Sequence, residues 1–232
     1  MIEEVKRYTL EFLEEEKSGH GMDHALRVFY LASKFALVEG ADIQVVGIAA
    51  LIHDVDDYKI VGDAKSLDLL NAKKIMDKAE VPMQIQEMVL NIIKNMGYKN
   101  YLKGIRPKTL EGMIVSDADM CEAIGAHGII RSVVYAVSDK GSGVIFDKNV
   151  WPNVNMTFDD YNKNGTTYDT DNAINYCFEK MLKLKDLMLC KSGKFEAEKR
   201  HQFIIDFLKQ FFMEEQELDW LNYLDNYLEE LN

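Results

Sequence analysis

The residues best equipped for chemistry form a short run, His53-Asp54-Val55-Asp56-Asp57, at the end of the apolar stretch VVGIAALI. An imidazole and three carboxylates attached to a segment that must be buried need compensation, because unpaired charge in an apolar interior is costly. A metal ion supplies it. Adjacent side chains on a helix point about 100° apart, since a turn holds about 3.6 residues. A cation between those directions takes both His53 and Asp54. Two further stretches offer the same residue types beside apolar sequence. His24 opens the preceding helical pattern with His20 four residues earlier, and Asp117 and Asp119 interrupt the run GMIVSDADMCEAIG. Taken singly, each has an ordinary account: His20 as a loop residue, Asp23 as a helix cap, Asp119 as the partner of an Arg. Three separated segments taken together point to a shared cation.

The elements that must position these residues are helical. Residues 2–17 place Ile2, Val5, Leu10 and Leu13 near one face, and Ser18-Gly19 breaks the pattern. Asp23 is read as the N-cap of a helix over roughly 24–38 that buries Leu26, Phe29 or Tyr30, and Leu37. Asp42 opens a third helix, from Ala41 to about Asp56, apolar on every face at its centre. Amphipathic spacing predicts further helices over 66–79 and from Pro82 to about Asn95, followed by the irregular stretch KNMGYKNYLKGIRPKT. The next helix runs from Thr109 or Leu110 through Ile124, with Gly125 and Gly128 as interruptions before IIRSVVYAV. Residues 139–170, rich in Gly, Asn and Asp, read as a long surface loop, of the length that lids or poorly ordered segments have. Two long helical patterns, 172–190 and 195–231, complete the chain. Phe203, Phe207, Phe211 and Phe212 recur at helical spacing and are read as core; His127 is read as a partly buried helix residue and His201 as exposed.

Composition limits the function classes. With 27 basic against 39 acidic side chains the formal charge is −12, which argues against a binder of nucleic-acid backbone. A small anionic substrate remains compatible, since a few local cations hold one. Hydrophobic residues make up 47% and charged residues 28%, an ordinary globular balance. Cys121, Cys177 and Cys190 form no C-x-x-C pair and are odd in number, which reads as reduced thiols in a cytoplasmic protein. The acidic N-terminus lacks the pattern of a signal peptide, and no apolar run approaches the roughly 20 residues of a membrane span.

The order His24, His53-Asp54, Asp117 resembles that of the HD-domain metal-dependent phosphohydrolases. The wording is closest to their YedJ/YpgQ-like branch. GHGMDHALRV resembles its Gly-His-Asp-x-x-His-x-x-Arg-Val opening, and EGADIQVVGIAALIHDVDDYK its Glu-Gly-Ala-Asp and Ala-Ala-Leu-x-His-Asp elements. TLEGMIVSDADMCEAIGAHGIIR is similar to its Leu-Glu-Gly, Asp-Ala-Asp and Gly-x-x-Gly-x-x-Arg block, and NAINYCFEKMLKLKDLM and AEKRHQFIIDFLKQF to its two closing helices. The resemblance spans nearly the whole chain. Met120 and Glu122 stand where the branch often has Arg and Asp, and Tyr176 where relatives tend to have His.

The resemblance implies an all-α fold, an HD-domain helical bundle with additional C-terminal helices. It implies one HD-type domain over 1–232, with its metal-binding core about 18–135, the loop 139–170 and C-terminal helices over 172–231. The implied ligands are His24, His53, Asp54 and Asp117, holding one divalent ion, because this chain has no His from 54 to 126 for a second site. A sulfur-free N/O ligand set suits Mn²⁺, Mg²⁺, Fe²⁺, Co²⁺ or Ni²⁺. The expected chemistry is attack of metal-activated water on a phosphate ester, with nucleotide pyrophosphatase activity as the specific form. Asp54, Asp57 and His20 are the acid/base candidates, and Arg27, Lys59 and Arg131 the cations placed on substrate phosphates. The other reading is a non-catalytic HD module that binds a nucleotide or metal. The acidic C-terminal helix fits a homodimer contact, which amphipathicity alone does not show.

Overall fold

The computed structural model describes residues 1–14, 21–57, 61–62, 66, 68–138, 141–155 and 172–231. Every regular element among the described residues is helical, as the sequence predicts. Contacts divide the chain into two units, Met1–Glu122 with Leu189–Gly193, and Ala123–Met188 with Lys194–Asn232.

In the first unit α1 (Ile2–Leu13) buries Val5, Thr9 and Leu13, one residue per turn. Helix α2 (Met22–Glu39) starts two residues earlier than its sequence suggests. Gly21 occupies the N-cap, and Asp23 lies in the first turn as an acidic residue near the positive end of the helix dipole. Its inward face is Ala25, Val28, Ala32, Phe35 and Ala36. Leu37, expected inside, is 69% exposed; of the alternatives Phe29 and Tyr30, Phe29 is half-buried and Tyr30 is 59% exposed. Small alanines mark this close-packed face, and size-weighted hydrophobicity points away from them. The helix ends at Gly40, whose φ of 75° is the left-handed conformation that lets its N–H reach the Ala36 carbonyl at 2.9 Å.

Helix α3 (Ile43–Ile52) is the centre of this unit. The Asp42 carboxylate accepts from the N–H groups of Gln44 and Val45 at 2.8 and 3.2 Å. All residues from Val45 to Ile52 are buried. The rest of the unit is α4 (Leu70–Lys78), α5 (Met83–Asn95), α6 (Tyr98–Leu102) and α7 (Leu110–Glu122). Helix α6 falls inside the stretch expected to be irregular. α3 packs against α1, α2, α5 and α7, which is why it carries no polar face. At Gly47 an added Cβ would stand 3.0 Å from the Phe29 ring and 3.2 Å from Ile2, so the glycine permits close approach.

The chain leaves helical hydrogen bonding at His53 rather than continuing to Asp56. The cause is visible one turn on. Asp56, only 4% exposed, accepts from the Asn71 and Ala72 N–H groups at 3.1 and 2.8 Å and from Asn71 Nδ2 at 2.9 Å. It thereby supplies an anion to the start of α4.

The second unit holds α8 (Gly125–Ala136), α9 (Ala173–Glu179), a 3-10 segment Met181–Leu187, most of α10 (Lys191–Glu214), and α11 (Leu218–Leu231). Gly128 lies within α8 instead of interrupting it. Gln216, at φ 60°, divides the expected 195–231 helix in two. The core is aromatic. Phe178, Phe212 and Trp220 are fully buried, Trp151 stacks on Trp220 with centroids 4.4 Å apart, and Tyr227 Oη donates to the Phe178 carbonyl at 2.8 Å. Phe212 fulfils the core expectation, while Phe203 is 48% exposed.

Candidate metal centre

Three elements of the first unit bring their ends to one place. His24 sits in the first turn of α2, the His53-Asp54 pair follows the last turn of α3, and Asp119 lies on α7. His24 Nε2 is 3.5 Å from Asp54 Oδ2 and 3.3 Å from Asp119 Oδ1. His53 Nε2 is 3.4 Å from the same Asp54 oxygen and 3.6 Å from the same Asp119 oxygen. One ligand atom each from His24, His53 and Asp119 lies within 4.8 Å of the others. Ligands about 2.1 Å from a common ion stand roughly 3.0–3.4 Å apart, so these spacings suit a shared cation. The two imidazole side chains are 2% exposed and Asp119 is 26% exposed, which leaves the cluster open to solvent on its carboxylate edge.

The donor chemistry supports the same conclusion. His53 Nδ1 lies 2.8 Å from the Ala50 carbonyl and donates to it, which leaves Nε2 as the free ring position. His53 Nε2 is buried and without a hydrogen-bond partner. A lone pair aimed at two carboxylates calls for positive charge between them. Burial lowers the His53 pKa, but the Asp54 and Asp119 carboxylates outweigh it, and the net shift is well upward. His24 goes the other way: burial prevails over its hydrogen bond to Asp119. Burial likewise pushes Asp119 up, but its closeness to the two imidazoles holds it below the usual carboxylate range. A divalent cation would balance the two carboxylates with both imidazoles neutral.

One expected ligand is corrected. Asp117 is fully buried, and its carboxylate is taken by backbone groups: Leu189 N–H at 3.0 and 2.8 Å, and Cys190 N–H at 2.7 Å. A Cβ on Gly193 would collide with that carboxylate. Positions two apart on a helix face nearly opposite ways, about 200°, so only one of Asp117 and Asp119 can face the imidazoles. The signal that separates them lies in their helical neighbours. Asp117 shares its face with Ile114 and Cys121, while Asp119 shares its face with Ser116 and Glu122.

The other candidates are scattered. Asp57 follows the doublet, and its N–H donates to the Asp54 carbonyl at 2.9 Å. The Arg27 Nε donates to Glu122 Oε2 at 2.6 Å, so this guanidinium is engaged within the protein. Arg131 lies half-buried on α8 of the second unit. His20 and Lys59, and most of the 139–170 loop, lie outside the described residues. His127 is exposed and His201 is 4% exposed, the reverse of their expectations. No helix among the described residues is long and apolar enough to cross a membrane.

The model of the HD domain matches residues 21–124. YpgQ of Bacillus subtilis is 30% identical over 212 residues, which cover 90% of this chain and 90% of YpgQ. The chain belongs to the HD-domain superfamily. It lies close to the YpgQ-like branch. Among solved structures, a Lactobacillus plantarum protein is 30% identical with a TM-score of 0.76, covering 93% of this chain and 96% of that one. An HD-superfamily hydrolase from Bacillus thuringiensis is 29% identical with a TM-score of 0.71, covering 93% and 97%. A crystal structure of YpgQ in complex with ADP has a TM-score of 0.68 at 24% identity, covering 92% and 97%. With its His24/His53/Asp119 cluster this HD protein is a metal-dependent phosphohydrolase.

Proposed function

We propose that the substrate is a nucleoside phosphate and that water cleaves one of its phosphoric ester or anhydride bonds. The observation that carries this reading is the convergence of His24, His53, Asp54 and Asp119, two neutral and two anionic donors, around one buried unpartnered ring nitrogen. These four residues would hold one divalent ion, drawn from Mn²⁺, Mg²⁺, Fe²⁺, Co²⁺ or Ni²⁺ by the sulfur-free donor set. When bound, the ion supplies Lewis acidity towards a phosphoryl oxygen and acidifies water.

The chain's own residues do the remainder. The Ala50 carbonyl fixes the His53 ring through Nδ1. Asp54 and Asp119 concentrate negative charge where the cation sits, and the open Asp119 edge admits substrate. Asp57, three residues beyond Asp54 and outside the four-donor cluster, is the proposed proton acceptor for the attacking water. The ADP complex of YpgQ supports a nucleotide as the ligand class.

The test uses protein stripped with EDTA and reloaded with Mn²⁺ or Mg²⁺, assayed on nucleoside mono-, di- and triphosphates. The reading expects metal-dependent release of phosphate or pyrophosphate that disappears in Asp54→Ala. Tight metal binding without turnover of any nucleoside phosphate contradicts it and leaves a binding module.

A further inference from the structure

Glu122 is 2% exposed, and its carboxylate takes the Arg27 Nε at 2.6 Å. Arg27 stands three residues after His24 on α2, and Glu122 three residues after Asp119 on α7. Two contacts therefore cross between the same pair of helices with equal offsets: His24 to Asp119, then Arg27 to Glu122 one turn further along each. Three residues rise about 4.5 Å along a helix, so the second contact lies close behind the metal centre.

We propose that the Arg27–Glu122 pair is a positioning device, which holds α2 and α7 in the register where His24 and Asp119 meet. The inference rests on the metal-centre reading above. Its physical basis is the poor return, as a source of stability, of an ion pair whose carboxylate is buried and whose guanidinium is 30% exposed. Desolvation of two charges offsets most of their attraction, and the best-attested use of such pairs is to fix register. A slide of α7 by one residue would turn it by about 100°, carrying Glu122 away from Arg27 and Asp119 away from the imidazoles together. Glu122 cannot make up the loss with water, because it is buried. The pair also accounts for the acidic residue at position 122: it retains a carboxylate in a segment otherwise buried, with Met120 and Cys121 beside it. Arg27 accordingly acts on the ligands through α2 and is not assigned to substrate.

The test is Mn²⁺ titration by calorimetry, together with thermal unfolding in EDTA. The double variant Arg27→Met/Glu122→Met removes both charges together, so its metal-free unfolding stays near that of wild type. Its Mn²⁺ affinity falls about 10–100-fold, the range seen when groups that orient metal ligands are removed. Arg27→Lys keeps the charge and recovers most of the affinity. A double variant that binds Mn²⁺ as tightly as wild type overturns the positioning role while leaving the metal centre intact. Wild-type protein that binds no divalent cation overturns both.

Discussion

Asp117 and Asp119 stand two positions apart on α7, yet one anchors backbone and the other faces the imidazoles. Asp119→Asn should abolish Mn²⁺ binding with little change in metal-free stability. Asp117→Ala should keep binding but lower stability by about 2–4 kcal/mol, because the Leu189 and Cys190 N–H groups lose a charged acceptor. Calorimetry and urea unfolding separate the two effects. His201 supplies a second test. Burial, with Lys185 nearby, lowers its pKa against the opposing pull of Glu198 and Asp186. Unfolded, it returns to about 6.5. Between those values the unfolded chain binds more protons, so the stability contributed by neutral His201 is complete above about pH 6.5 and is lost as pH falls below it. Urea unfolding at about pH 7.5 and about pH 5 should show a smaller loss for His201→Phe than for wild type. An equal loss would place the sensitivity elsewhere. The metal-ligand types were legible in the sequence because His and Asp beside VVGIAALI have few inexpensive structural uses. The choice between the two aspartates rests only on their helical neighbours, since each interrupts the same apolar run. His201 was misplaced because charged neighbours in EKRHQF disguise an inward-facing position.

At the scale of elements, α3 determines where the chemistry can be. It is buried on every side between α1, α2, α5 and α7, and it delivers His53 and Asp54 as it ends. Its start depends on Asp42. Asp42→Ala should cost about 0.5–2 kcal/mol by removing the acceptor for two helix N–H groups, measured by urea unfolding. No change would mean that the apolar packing alone sets the helix start. The existence of α3 and its cap was readable from sequence, because an all-apolar segment preceded by Asp has a simple pattern. Its end was not. Asp56 is drawn to the N–H groups of Asn71 and Ala72, a contact across 15 and 16 positions that no local pattern announces. The inward face of α2 differs from its pattern for a related reason: alanines are buried there while Leu37 faces out.

At the scale of the whole molecule, a net charge of −12 meets an anionic substrate. The long-range field opposes approach, and a bound divalent cation reverses it locally. Ionic strength raised from about 0.01 to about 0.15 M should therefore raise kcat/KM, as the Debye length shrinks from about 30 to about 8 Å. A fall over that range would assign the approach to attractive side-chain cations instead. The most direct test of the account is anomalous diffraction from crystals loaded with Mn²⁺. The account predicts one Mn²⁺ peak about 2.0–2.3 Å from Nε2 of His24 and His53 and from carboxylate oxygens of Asp54 and Asp119. A peak held by Asp117, or none among these four side chains, would contradict it.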